Sequence, residues 1–111
     1  MGIHMQSLHS ESAFRNELTQ AKYKDHLVVV DFSAAGCPPC QSMKPIVDDL
    51  AHSLGSEVEF LEIDVHDSVE VAQALGIDVV PVFQFWRNGR RVDTMVGANP
   101  APLKELVAAL K

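Results

Sequence analysis

Cysteine is scarce in this chain, with two residues, Cys37 and Cys40, among 111. That is too few for a disulfide-stapled secreted scaffold. It is also too few for a structural zinc site within one chain, which takes about four ligands, so only a site shared between chains would remain. Positive charge is scarce as well: nine Lys plus Arg stand against 15 Asp plus Glu, for a net charge of −6. This balance offers no electrostatic footprint for nucleic acid or an anionic membrane. The longest apolar stretches, Leu27 to Val30 and Val79 to Phe83, fall far short of the roughly 20 residues that span a bilayer. Residues Met1 to His4 lack the charged start and apolar core of a secretory signal, and Met5 reads as the natural start behind a short remnant or disordered N-terminus.

Repeats, low-complexity tracts and proline-rich linkers are lacking too, which leaves one domain over residues 5–111 as the expectation. No glycine-rich phosphate loop appears, so no nicotinamide or flavin site is expected. The five histidines, His4, His9, His26, His52 and His66, are dispersed without ligand spacing and read as surface or loop residues. This cysteine usage favours a reducing compartment, and a monomer in the cytoplasm is the expectation.

What is present is an ordered alternation of strand and helix signals. Met5 to Leu8 suits a short edge strand, and Ser10 or Ser12 suits the cap of a helix that carries Phe14, Leu18 and Ala21 on one face and ends near Asp25. Leu27-Val28-Val29-Val30-Asp31-Phe32 is a continuous β-branched run, the pattern of a central strand buried on both faces. A helix then begins at Cys37, carries Met43, Ile46, Val47, Leu50, Ala51 and Leu54 as its stripe, contains Pro45, and stops at Gly55. Val58 to Ile63 reads as another buried strand. Ser68 to Leu75 reads as a short helix with Val69, Ala72 and Leu75 inward. Val79 to Trp86 and Arg91 to Val96 flank Asn88-Gly89, a strong hairpin signal because both central turn residues need positive φ. Asn99 caps a last helix carrying Leu103, Leu106, Val107 and Leu110. The order β-α-β-α-β-α-β-β-α predicts an α/β fold, a central mixed β-sheet with helices on both faces.

Cys37-Pro38-Pro39-Cys40 opens the second helix just after the central strand. Side chains three apart on a helix share a face, so the two sulfurs can form a disulfide with small adjustment. A loop this short adds little stability, and the value of such a bond lies in reversibility. A cysteine at a helix N-cap faces free N–H groups and the positive end of the dipole, which favours thiolate and makes Cys37 the nucleophile. Cys40, one turn inside, would resolve the mixed disulfide. The prolines suit the first turn, where their missing N–H groups have no intrahelical partner. The bland alternative is two thiols that merely pack.

Val28 to Ala34, the cysteine motif, Met43-Lys44-Pro45, Phe60 to Val65, Pro81, Phe83-Gln84-Phe85 and Gly97-Ala98-Asn99 together resemble the eukaryotic-type thioredoxin family over residues 5–111. The resemblance implies the thioredoxin fold and reduction of protein disulfides through a reversible Cys37–Cys40 pair. It implies no bound cofactor, and NADPH used only indirectly through a thioredoxin reductase or replaced by another dithiol donor. Asp31 corresponds to the family's buried acid that moves protons for the inner thiol; burial within this apolar run would raise its pKa on physical grounds alone. Val80-Pro81 resembles the family's cis-proline segment, which pairs its backbone with an extended substrate, and Pro81 should mark a strand start. Gly36, Pro38, Gly97 and Ala98 complete the implied substrate-binding rim.

Two residues depart from that pattern. Gly36 stands where the family usually has tryptophan, and Pro38 where it has glycine. The first removes a large contact surface beside the nucleophile, and the second removes a backbone N–H. A thioredoxin-like partner-binding module and a specialised tryparedoxin-like oxidoreductase, the latter suggested by the double proline alone, are the alternative readings. Trp86 reads as hairpin packing.

Overall fold

Three strands, Leu27–Ser33, Val58–Asp64 and Val82–Arg87, are buried along nearly their whole length because apolar side chains occupy most positions on both of their faces. The computed structural model describes His4–Met5 and residues 8–111. Its elements are β1 (His4–Met5), α1 (Glu11–Leu18), β2 (Leu27–Ser33), α2 (Pro38–Leu54), β3 (Val58–Asp64), α3 (Val69–Ala74), β4 (Val82–Arg87), β5 (Arg90–Val96) and α4 (Pro100–Leu110). The sheet order is β1-β3-β2-β4-β5, with β2 in the centre. β1 and β2 run parallel to β3, whereas β4 is antiparallel to β2 and to β5.

Side chains alternate across a strand, so β2 feeds two cores. Leu27 and Val29 face Met43, Val47 and Ala51 of α2 and Leu103 and Val107 of α4. Val28, Val30 and Phe32 face the opposite way, toward Phe14 and Leu18 of α1 and Val71 of α3. The same alternation turns Asp31, Ser33 and Glu62 toward the α2 side, since they continue the Leu27–Val29 and Val58–Phe60 series. Parity alone therefore sends three polar residues to the face under the cysteine helix.

Local signals explain most boundaries. Ser10 Oγ accepts from the Ala13 amide at 3.1 Å and starts α1. Asn88 (φ 51°) and Gly89 (φ 76°) make the hairpin turn. Trp86 is buried, donates from Nε1 to Gln84 Oε1 at 3.1 Å, and meets Phe14 edge-on at 5.5 Å.

Three boundaries and one helix face differ from expectation. The first strand is the pair His4–Met5; Leu8 is outside it, and residues 6–7 lie outside those described. α1 stops at Leu18 rather than near Asp25, because Thr19 and Gln20 donate to Asn16 and Glu17 carbonyls only three residues back, and a separate 3₁₀ turn follows at Ala21–Tyr23. In α3 the inward residues are Val71, Ala72 and the partly buried Leu75, while Val69 is 49% exposed. Leu75 follows Val71 by four residues and shares its face, whereas Val69 turns to solvent. β4 begins at Val82, not Val79, since Pro81 cannot donate to the ladder and so marks the strand start.

Candidate active site

Cys37 is the N-cap of α2, with extended backbone (φ −98°, ψ 105°), and Pro38 and Pro39 fill the first helical positions. Neither proline has an N–H, so the first donor of the helix is Cys40, whose amide reaches Cys37 Sγ at 3.2 Å. The two cysteines are joined in a disulfide with their Cα atoms 5.3 Å apart. Their exposures differ: Cys37 is partly accessible, whereas Cys40 is 5% exposed. An incoming group therefore reaches the outer sulfur first.

The loop leading to Cys37 is tied to the end of β3. Asp64 accepts from the Ala35 amide at 3.3 Å through Oδ2, and from the His66 and Asp67 amides at 2.7 and 3.2 Å through Oδ1. Gly36, exposed on that loop, has φ +75°, and a Cβ there would meet nothing within 4 Å. Space is open for a larger residue, but the backbone conformation favours glycine.

Asp31 lies beneath α2, is 4% exposed, and its Oδ1 has no hydrogen-bond partner among the described residues. Burial lifts its carboxyl from the ordinary 3.8 to about 7; the Glu62 carboxylate pushes further in the same direction and the Lys44 ammonium opposes it. The expectation of a raised pKa thus holds, and no backbone hydrogen bond to Oδ1 offsets the burial. Glu62 sits directly opposite Asp31 in the parallel register. It is itself buried, takes Lys44 Nζ at 3.3 and 3.2 Å on its two oxygens, and accepts from Ser33 Oγ at 3.3 Å. A cavity of about 200 Å³ lined by Ser33, Cys40, Lys44, Glu62 and Asp64 opens beside this cluster.

Sequence reasoning missed Glu62, Lys44, Ser33 and Asp64. The signal for Glu62 was its place two residues after Phe60 in a buried strand, on the same face as Asp31. One consequence is measurable. Glu62→Gln should lower the Asp31 titration midpoint by roughly one pH unit and Lys44→Met should raise it by a similar amount, because each removes one charge beside a desolvated carboxyl. Carbon-detected NMR titration of the Asp31 carboxyl checks both directions.

The Val80-Pro81 bond is cis. Val82 pairs with Phe32 and with Val96, so Pro81 lies at the end of the sheet where β2 gives way to the cysteine loop and β5 ends just before Gly97. Gly97 (φ +103°) donates its amide to the Pro81 carbonyl at 2.9 Å. The topology thus brings Gly36, Cys37, Pro38, Val80, Pro81 and Gly97 to one end of the sheet, bordered by Val79 and Val96, which are 52% and 59% exposed. Ala98 is set further in, packed partly against the α2–α4 core. Ser68, expected as a cap of α3, is the N-cap residue, but its hydroxyl is buried and makes no cap bond. His9, His52 and His66 are exposed and His26 is half-buried; among the described residues no three His, Cys, Asp or Glu side chains cluster as metal ligands.

Comparisons with known proteins agree with this geometry. The thioredoxin family model matches residues 5–111. Horse (Equus caballus) thioredoxin is 41% identical over 106 residues, covering 96% of this chain and 98% of that protein. Chicken (Gallus gallus) thioredoxin is 43% identical over 97 residues, covering 87% and 90%. Among solved structures, Fasciola hepatica thioredoxin superposes with a TM-score of 0.85 at 32% identity over 100% of both chains. A Nicotiana alata thioredoxin gives 0.86 at 28% identity, covering 98% of this chain and 92% of that one. By sequence, fold and its paired cysteines, this chain belongs to the thioredoxin family and is a thiol–disulfide oxidoreductase.

Proposed function

We propose that the chain reduces disulfides in other proteins, with Cys37 attacking, Cys40 resolving and Asp31 managing the proton of the inner thiol. The observation that carries this reading is the inequality of the two sulfurs at one helix start, one accessible at the N-cap and one buried a turn inside. The Cys37 thiolate attacks a substrate disulfide, forming a Cys37–substrate bond and releasing the first substrate thiolate, which takes a proton. Cys40 gives its proton to the Asp31 carboxylate, attacks Cys37 Sγ and releases the second substrate thiolate. Two electrons have moved, and the chain holds the Cys37–Cys40 disulfide. A carboxyl titrating at about 7 is divided between acid and base near neutrality, which suits both taking and returning that proton.

Backbone groups around Val80 and Pro81, with Gly36, Pro38, Gly97 and Ala98 at the rim, receive an extended segment of the substrate. Main-chain pairing depends little on the partner's side chains and so tolerates many substrates. The donor is a thioredoxin reductase, through which NADPH acts indirectly, or another dithiol; no prosthetic group enters the cycle. We place the protein as a monomer in the cytoplasm, without nucleic-acid or membrane partners. Among the described residues no helix is long and apolar enough to cross a membrane.

Turnover of a disulfide-bonded reporter protein tests the reading, with dithiothreitol as donor and then with a thioredoxin reductase plus NADPH. Turnover with both is expected. Turnover with dithiothreitol alone assigns a different donor, and none with either sinks the reading. One specific observation, the exposed glycine at position 36 without a side chain beside the nucleophile, favours the partner-binding module as a second reading. Tight binding of one folded partner that survives loss of both cysteines would select it.

The double proline sets a further expectation. Pro38→Gly adds one N–H to the start of α2, which stabilises the reduced, thiolate-bearing form more than the disulfide. The reduction potential should become less negative by up to about 30 mV, equivalent to roughly 1.4 kcal/mol. Equilibration in glutathione redox buffers measures it.

A further inference from the structure

Only four arginines occur in the chain, Arg15, Arg87, Arg90 and Arg91. Three of them line one groove of about 460 Å³, together with Ala74, Leu75, Trp86 and Gly89, and no carboxylate is among the lining residues. We propose that this groove, between α1, the end of α3 and the β4–β5 turn, is a docking site for an acidic segment of a partner protein, held through its oxyanions by Arg15, Arg90 and Arg91.

The arginines are placed differently from ordinary surface cations. Arg15 is fixed on two sides: its guanidinium lies 5.6 Å from the Trp86 ring centre, and its Nε and Nη2 each meet Glu11 Oε2 at 3.0 Å. No partner occupies its Nη1 among the described residues, which leaves that edge of the fork for a ligand. Arg91 is the cross-strand partner of Trp86, and a register irregularity between Phe85 and Trp86 falls at this point of the hairpin. Arg90 and Arg91 are exposed, and among the described residues neither has an ion-pair partner. The fourth arginine, Arg87, is instead committed to the Asp25 and Leu110 carbonyls.

Charge complementarity selects the ligand. Arginine presents planar pairs of donors that match carboxylate and phosphate oxygens. With a net charge of −6, the chain as a whole repels an acidic segment, so a groove where three arginines stand beside one carboxylate, the Glu11 partner of Arg15, defines where such a segment can settle. The location leaves the redox chemistry free. Arg87 pairs with Leu27 at the start of β2, whereas Val82 pairs with Phe32 near the cysteine loop. The groove is thus separated from the cysteines by the length of the six-residue β4, about 20 Å. A partner held there keeps Cys37 open to a disulfide.

Fluorescence anisotropy with labelled heptaglutamate at low ionic strength tests the site, with heptaglutamine and inorganic phosphate as parallel probes and NMR to map the contacts. Saturable binding of heptaglutamate alone is expected, with shifts at the Trp86 indole and at the Arg15, Arg90 and Arg91 side-chain N–H groups. Added salt should weaken it. Arg90→Gln/Arg91→Gln should weaken binding roughly tenfold and Arg90→Glu/Arg91→Glu should abolish it, with reporter reduction unchanged in both. Unchanged turnover also certifies that the variants fold. No saturable binding, equal binding of heptaglutamine, binding of phosphate without heptaglutamate, shifts confined to Lys22 and Lys24, or affinity unaffected by either double substitution would each overturn the proposal. In those cases Arg90 and Arg91 serve only to keep the exposed edge strand β5 from pairing with another chain.

Discussion

Cys40→Ser should stop turnover after a single exchange and leave the substrate covalently attached to Cys37. The outer sulfur is accessible at the helix N-cap and can still attack. Release then depends on a thiol from solution instead of one held three residues away. An intramolecular thiol acts at an effective concentration far above any donor in solution, so the rate should fall by on the order of 10³-fold. Intact-mass measurement should show a one-to-one adduct that reductant removes. Cys37→Ser should lose as much activity yet form no adduct, because the remaining sulfur is 5% exposed. An adduct on Cys40 in that variant, and none on Cys37 in the other, would reverse the assigned roles.

Asp31→Asn should slow product release near neutral pH and, at the same time, stabilise the fold in a pH-dependent way. The native state holds the Asp31 proton up to about 7, whereas an exposed aspartate gives it up near 3.8. Below 3.8 the group is protonated in both states and costs nothing in ionisation. As pH rises from there through about 7, the unfolded chain ionises first and wild-type stability falls. The accumulated loss approaches about 4 kcal/mol at alkaline pH. The asparagine carries no such titration. Its stability relative to wild type should therefore climb by about that amount between pH 3 and pH 8, offset uniformly by about 1–3 kcal/mol for an unpaired buried amide. Urea unfolding of both proteins across this range checks the slope. A flat difference would mean that Asp31 is not held protonated, and its proposed proton role would go with it.

Much of this site was legible in the sequence because it rests on strong local signals. The β-branched run from Leu27 to Phe32 identified the central strand, Asn88-Gly89 the hairpin, and Cys37-Pro38-Pro39-Cys40 at a helix start the redox pair. The second layer was not legible, because it depends on which strands lie side by side. Glu62 matters only since β3 pairs with β2 in a register that sets it opposite Asp31, and Lys44 only since α2 crosses above both. Asp64 ties Ala35 by a contact across 29 residues. The boundary misses have a different origin. Thr19 ends α1 through short-range backbone bonds that compete with an otherwise continuing apolar pattern. In the six-residue α3 there are too few positions for periodicity to distinguish Val69 from Val71.

The central claim, that the Cys37–Cys40 pair itself transfers two electrons to a protein disulfide, is tested most directly in a single turnover. The chain is reduced, freed of reductant, and mixed with an excess of a disulfide-bonded protein with no other donor in solution. Release of two substrate thiols per chain, with Cys37 and Cys40 recovered as a disulfide by mass spectrometry, is the predicted result. A chain that stays reduced while the substrate disulfides remain intact would contradict it.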